Sequence, residues 1–140
     1  MLYKIEIKDK PGIFDAVGTG IKKDILDLGI KGVESVRFVQ VYIIEGGLSQ
    51  EEMRRICQEL LADRIAQDYS ISEPGKRNKP NKGNEFVVEV AYNAGVMDPV
   101  EDSTLKGIRD LGINSVNSVK TASCNVQSYC LLWSCKETLL

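Results

Sequence analysis

One stretch of the chain occurs twice, and this duplication constrains the fold more than any other feature of the sequence. Residues 3–38 align without a gap onto residues 86–121, at a constant offset of 83, and 13 of the 36 positions are identical. Two copies of one small unit predict a pseudo-symmetric pair whose apolar faces pack together, as those of a homodimer do. Such an architecture is typical of assembly rather than of catalysis.

The first unit is predicted as βαβαβ. Residues 2–8 alternate between apolar and polar side chains, as a half-buried strand does. A helix is expected from about Asp15, its N-cap, to residue 28, and a β-rich run covers residues 33–44. Ser49 and Glu52 form a capping box that begins a second helix, which extends to about residue 61. Residues 64–72 are predicted to be the closing strand.

The second unit begins as a copy of the first and then departs from it. Residues 85–92 alternate like a strand, and Asp98 is the expected N-cap of a helix with Pro99 at its first position. Residues 1–72 and 85–121 are therefore predicted as tandem α+β units, joined by a linker at residues 73–84. The second is a truncated βαβ. We expect an antiparallel sheet with helices on one face and a pseudo-two-fold axis.

Residues 122–140 are predicted to be an atypical tail. They hold the only tryptophan and three of the four cysteines (Cys124, Cys130 and Cys135), and nothing in them matches residues 49–72. We hypothesise that this tail is not native and arises from a truncation, a frameshift or an engineered junction. The cysteine spacings match no C-x-x-C site, so no metal site is expected, and Cys57 is interpreted as a buried thiol on a helix.

The composition argues against several classes of function. The chain has no histidine, which removes the usual general base and the commonest zinc ligand, and we expect no catalytic residues and no cofactor. Residues 18–23 contain Gly-Thr-Gly and two lysines, but the helical pattern places these glycines inside a helix rather than in a phosphate loop. A net charge of −2 and the lack of a long apolar run predict a cytoplasmic protein without nucleic-acid or membrane partners.

Two resemblances to known families follow from the first strand–helix turn. Residues 9–14 (Asp-Lys-Pro-Gly-Ile-Phe) resemble the opening of ACT domains, which would imply an amino-acid-binding regulatory module. The element Gly-x-x-Asp, present at Gly12/Asp15 and at Gly95/Asp98, resembles the PurS family instead. The acidic helix with Leu-Leu-Ala-Asp at residues 60–63 and the strand at residues 65–71 are also similar to that family.

The PurS resemblance implies a role without chemistry of its own. Two such units look like the N-terminal region of long PurL chains, and they imply a non-catalytic assembly domain of phosphoribosylformylglycinamidine (FGAM) synthase. That enzyme is an ATP- and glutamine-dependent C–N ligase of purine biosynthesis. The implied partners are a PurL-type synthetase and a PurQ-type glutaminase, or the rest of the same chain, with the domain supporting ammonia transfer between them. The ACT-like amino-acid-binding regulatory domain is the alternative.

Two expectations concern contacts with other chains. The closing strand of the first unit has no counterpart in the second, which should leave an exposed strand edge and favour a homo-oligomer. The two strand–helix turns are paired by the pseudo-symmetry and are the expected interface residues: Lys10, Pro11, Gly12, Asn93, Ala94 and Gly95.

Overall fold

The computed structural model describes residues 1–73, 85–93 and 95–129, and this part of the chain forms a five-stranded antiparallel sheet. The elements are β1 (Leu2–Asp9), α1 (Ala16–Asp27), β2 (Val33–Gly46), α2 (Gln50–Arg55) with a π-helical continuation (Ile56–Leu61), β3 (Gln67–Ser72), β4 (Glu85–Ala91), α3 (Pro99–Asp110) and β5 (Val116–Tyr129). The strand order is β3-β1-β2-β5-β4, which confirms the predicted α+β class. The predicted linker after residue 73, Ala94 and the tail from Cys130, which includes Cys135, lie outside the described residues.

The two units meet along β2 and β5, and their pairing is symmetric about equivalent residues. Gln40 pairs with Ser123, which lies 83 positions later, so the centre of the seam joins the two copies of one position. The pairs Val36–Gln127 and Ile44–Val119 are also equivalent, because Val119 lies 83 positions after Val36 and Gln127 lies 83 positions after Ile44. The β1–β2 register also recurs in β4–β5, since Ile5 pairs with Tyr42 and Val88 with Asn125. The register therefore has the predicted pseudo-two-fold symmetry.

The strand β5 extends further than the sequence pattern indicated. Residues 122–129 were expected to belong to the atypical tail, but they continue β5 as far as Tyr129. They pair with β2 on one side and with β4 on the other, and Ala122 is buried against Val41. The boundary at residue 121 is thus too early, because pairing on both sides holds these residues in the sheet although their sequence no longer matches the first unit.

The main core lies on the face of the sheet that carries the helices. Apolar side chains of β1, β2 and β5 pack there against α3 and against the helix that follows Ser49. Its members are Ile5, Ile7, Ile44, Met53, Ile56, Cys57, Ile108, Ile113, Val116 and Val119. A smaller cluster of Val39, Val41 and Ala122 lies on the opposite face of the seam. Both clusters therefore contain residues from both units, so neither unit buries its apolar surface alone.

The second helix and the closing strand differ from the prediction in detail. The helix changes from α to π geometry at Ile56, and β3 begins at Gln67 rather than at residue 64. Residues 63–67 instead form a turn, in which the Gln67 N–H donates to the Asp63 carbonyl (2.8 Å) and the Ile65 N–H donates to the Asp63 carboxylate (2.8 Å). Aspartate side chains favour such local bonds, which compete with strand pairing.

Burial of Cys57 predicts a loss of stability at alkaline pH. The Cys57 side chain is fully buried, and this burial raises the pKa of the thiol to about 12 from 9.0. Between these values the unfolded chain releases a proton that the folded chain retains, so the free energy of unfolding falls as the pH rises from 9 towards 12. Urea denaturation across this range should show the fall, and it should be smaller in Cys57→Val. An equal pH dependence in both proteins would show that the loss of stability does not come from Cys57.

Candidate functional site

The two strand–helix turns share one backbone hydrogen bond and one glycine conformation. In the first, the Ile13 N–H donates to the Lys10 carbonyl over 3.1 Å, and in the second the Val96 N–H donates to the Asn93 carbonyl over the same distance. Gly12 and Gly95 have φ values of 87° and 85°, which only glycine adopts at little cost. Pro11 occupies the middle of the first turn, whereas its counterpart Ala94 lies outside the described residues.

The structure does not bring the two turns together. The strands β1 and β4 precede them, and the chain of antiparallel pairings from β1 through β2 and β5 makes β1 and β4 run in opposite directions. Their carboxyl ends, and with them the turns at Lys10–Gly12 and at Asn93 and Gly95, therefore lie at opposite ends of the sheet. The fold thus presents two related but separated surfaces rather than one combined site.

Each turn is fixed to the sheet by an aspartate that sequence reasoning recognised only as a helix cap. Asp15 accepts from the Gly18 N–H (2.8 Å) at the start of α1, and its other oxygen accepts from the Phe38 N–H of β2 (2.8 Å). Asp98 caps α3 through the Val100 N–H (2.9 Å), and its other oxygen accepts from the Thr121 hydroxyl of β5.

The strand partners of these aspartates are themselves equivalent, because Thr121 lies 83 residues after Phe38. The repeat offset could have identified this pair, although the contact itself joins residues that are 23 positions apart. Ser49 caps α2 through a capping box with Glu52 and makes no comparable contact with the sheet among the bonds described.

A cleft of about 540 Å³ opens beside the first turn. Its walls come from the end of β1, the helix that follows Ser49 and the start of β3, and its lining residues include Lys8, Lys10, Gln58, Arg64, Asp68 and Tyr69. The Lys10 ammonium donates to the Arg64 carbonyl (3.0 Å), the Arg64 guanidinium to Gln58 (3.2 Å), and the Gln58 amide to the Tyr69 hydroxyl (3.2 Å).

Three cations and one carboxylate line this cleft, so it favours an acidic or anionic group. Sequence reasoning found Lys10 but missed Gln58, Arg64 and Tyr69. No local motif marks these residues, because they come from elements about 50 positions further along the chain. At the second turn the positions of Lys8 and Lys10 are held by Ala91 and Asn93, so the two turns differ in charge.

The face of the sheet opposite the helices carries ion pairs. Lys4 of β1 lies 3.4 Å from Glu6 and 3.9 Å from Glu89 of β4, and Arg37 lies 3.5 Å from Glu85. Burial, followed by the carboxylates of Glu89 and Glu6, raises the pKa of the Cys124 thiol, which makes it a poor nucleophile. Among the described residues this face therefore offers partly buried charge pairs and no activated thiol.

A third surface is apolar, and we call it the open face: Ile25 of α1, Leu28 and Ile30 just after α1, and Val88 and Val90 of β4. Val88 is 43% exposed and Val90 is 56% exposed, whereas their counterparts Ile5 and Ile7 are 0% and 3% exposed. The difference arises because the segment at residues 49–72 covers Ile5 and Ile7, and no described residue takes its place in the second unit.

Within the described ranges no three histidine, cysteine, aspartate or glutamate side chains are grouped as metal ligands would be. The same ranges contain no helix with the length and apolarity needed to cross a bilayer. The buried or half-buried carboxylates of Asp98 and Asp15 are used in capping and in fixing the turns.

Comparison with known proteins shows which family the chain resembles. The family model of PurS, described as phosphoribosylformylglycinamidine (FGAM) synthase, matches residues 2–73. The PurS subunit of that synthase from Archaeoglobus fulgidus is 36% identical over 76 residues, which cover 51% of this chain and 95% of that protein.

Solved structures of PurS are also similar to the chain. The PurS of Methanocaldococcus jannaschii is 27% identical with a TM-score of 0.46, and it covers 51% of this chain and 92% of its own. The PurS of B. subtilis is 19% identical with a TM-score of 0.47, covering 51% and 94%. The family match ends at residue 73, so the assignment of the second unit to the same family stays a prediction. Because the family model spans just over half of the 140 residues, the chain belongs to the PurS family of FGAM synthase.

Proposed function

We propose that this chain is a non-catalytic assembly domain of FGAM synthase, which joins a PurL-type synthetase to a PurQ-type glutaminase and supports ammonia transfer between them. The observation that carries the proposal is the match to a named subunit of that enzyme over 95% of the subunit's length. The same match favours PurS over the ACT-like alternative. ATP and the substrate bind in the synthetase part, and this domain supplies the surfaces that contact its partners.

The geometry supports a bridging role. The turn at Lys10–Gly12 and the turn at Asn93–Gly95 are the proposed contact sites, and their position at opposite ends of the sheet allows each to contact a different partner. The cation-lined cleft beside Lys10 suits acidic side chains of one partner, whereas the second turn lacks these charges. This difference in charge would make the two contacts distinct, although both turns share a hydrogen bond and a glycine of positive φ.

Self-association is proposed for the isolated chain. Among the described residues β4 pairs only with β5, so its outer edge presents backbone groups to solvent. An edge of this kind pairs readily with another strand, and a second copy of the chain offers the same edge. We expect a dimer or larger species at micromolar concentration in sedimentation, and a monomer over that range would contradict it.

The test of the assembly role is a reconstitution with both partners. The chain should co-sediment with a PurL-type synthetase and a PurQ-type glutaminase when glutamine, ATP and Mg²⁺ are present. Glutamine-dependent FGAM formation should require the chain, whereas formation from added ammonium should not, because free ammonia needs no transfer between active sites. Equal glutamine-dependent activity with and without the chain would overturn the proposal. An amino acid that stabilised the chain against heat would instead support the ACT-like function.

A further inference from the structure

The open face keeps the apolar side chains of a covered surface although nothing described covers it. Ile25, Leu28 and Ile30 have the same residue types as Ile108, Leu111 and Ile113 at the equivalent positions of the second unit. Val88 and Val90 replace Ile5 and Ile7 with equally apolar residues. Yet Leu28 is 77% exposed, while Leu111 packs against the main core. The two surfaces thus have the same chemistry and differ in coverage.

The covered surface shows what an occupant has to supply. A helix brings Met53, Ile56 and Cys57 onto Ile5, Ile108 and Val119, and an extended strand then pairs antiparallel with the outer edge of β1. Because the seam relates the two units by a pseudo-two-fold axis, the open face and the outer edge of β4 have the equivalent geometry, and no described residue covers them. A second copy joined through its own β4 edge would supply hydrogen-bond partners for the outer backbone groups of β4. It would leave the apolar surface between α1 and β4 uncovered.

We infer that the open face binds an amphipathic helix followed by an extended strand, of the same chemistry as residues 49–72 and supplied by another polypeptide. The strand adds to the β4 edge, and the helix covers Ile25, Ile30 and Val88. The inference rests on the proposed function only for the source of this segment, which is a polypeptide of the synthase complex. In the isolated chain the segment competes with self-association through β4.

One position distinguishes the occupant from residues 49–72 themselves. Gly107 of α3 lies so close to Leu60 that a Cβ atom there would be 2.8 Å from the nearest leucine methyl group. The equivalent residue of α1 is Asp24, whose carboxylate would face the same position of the bound helix. A leucine there would desolvate this charge, whereas a lysine would pair with it. The occupant is therefore basic at the position of Leu60.

The test uses the full chain and a synthetic peptide with the sequence of residues 48–73, labelled with a fluorophore. We expect saturable 1:1 binding, accompanied in sedimentation by the loss of self-associated species. The peptide that carries Leu60→Lys should bind about fivefold more tightly, and the peptide that carries Ile56→Glu should not bind.

The chain offers a matched pair of variants on one strand. Val88→Glu should weaken peptide binding by at least about tenfold, because the carboxylate would be buried under the helix. Val87→Glu should leave binding unchanged, since Val87 is similarly exposed (47%) but points to the opposite face of β4. Circular dichroism would establish that both variants are folded.

Three results would overturn the inference: no binding of either peptide to the folded chain, equal weakening by Val87→Glu and Val88→Glu, or strong hydrogen-exchange protection of the outer β4 amides in the chain when it is monomeric. The last result would show that the chain already covers its own edge. Co-sedimentation with the synthetase and the glutaminase is scored separately, so a failure of the peptide assay leaves the assembly role standing.

Discussion

Replacing Ile113 with alanine is expected to lower the free energy of unfolding by about 3 kcal/mol, whereas the same change at Ile30 costs less than about 1 kcal/mol. The two isoleucines are equivalent under the repeat, but Ile113 is 3% exposed and Ile30 is 44% exposed. Truncating a buried side chain loses the free energy of its transfer out of water and leaves a cavity. A half-exposed side chain has lost less of its contact with water on folding, so its truncation costs less. Equilibrium urea denaturation of the two variants would measure the difference.

This pair tests the asymmetry between the units without changing residue type or local backbone. Both isoleucines follow a helix that ends in the same way, and each donates its N–H to the carbonyl of an isoleucine five positions earlier over 3.3 Å. A similar loss of stability in both variants would mean that the open face is covered in solution. Binding of the helix–strand peptide should also weaken in Ile30→Ala and remain unchanged in Ile113→Ala, provided that the latter is folded at the assay temperature.

The second large effect is expected from Asp98→Ala, which should cost about 3 kcal/mol of unfolding free energy. Asp98 is 5% exposed, and its carboxylate caps α3 through Val100 and accepts from Thr121 of β5. Its removal leaves a helix N–H and the half-buried Thr121 hydroxyl without this acceptor. Thr121→Val removes only the second contact and replaces the hydroxyl with a methyl group, so it should cost about 1 kcal/mol.

A titration distinguishes the charge of Asp98 from its role as a cap. Burial, and after it the Asp98 carboxylate, raises the pKa of Tyr42, which pairs with Thr121 across the seam. In Asp98→Ala the pKa of Tyr42 should fall but remain above its ordinary value, because the burial persists. Thr121→Val keeps the carboxylate and should keep the raised pKa. Ultraviolet titration of the tyrosines would measure the pKa of Tyr42 in each variant. An unchanged Tyr42 pKa in Asp98→Ala would contradict the proximity of the Asp98 carboxylate to Tyr42.

Local signals in the sequence located the start of each helix. Aspartate or serine at the cap, Pro99 at the first helical position and glycine at the turns act within four residues of the chain. The repeat itself predicted a paired, pseudo-symmetric fold, since two copies of one amphipathic unit have matching surfaces to bury. The α+β class followed from these observations.

Long-range contacts explain what the sequence pattern could not supply. The extension of β5 to Tyr129 depends on pairing with two neighbouring strands, so the loss of sequence similarity after residue 121 gave a false boundary. The sequence predicted the helix up to residue 28 but not whether anything covers its apolar side chains, and Leu28 is largely exposed. The cleft beside Lys10 combines residues from distant elements, so its lining could not be predicted from spacing.

The seam between β2 and β5 joins two parts of one polypeptide, and this has a thermodynamic consequence. A pair of separate chains with the same seam would come apart on dilution, and its melting temperature would depend on protein concentration. A covalent connection replaces that dependence with an effective local concentration, on the order of millimolar for short linkers. The two ends of the sheet should therefore keep a fixed separation at any protein level, and a partner bound at one turn would find the other turn already in place.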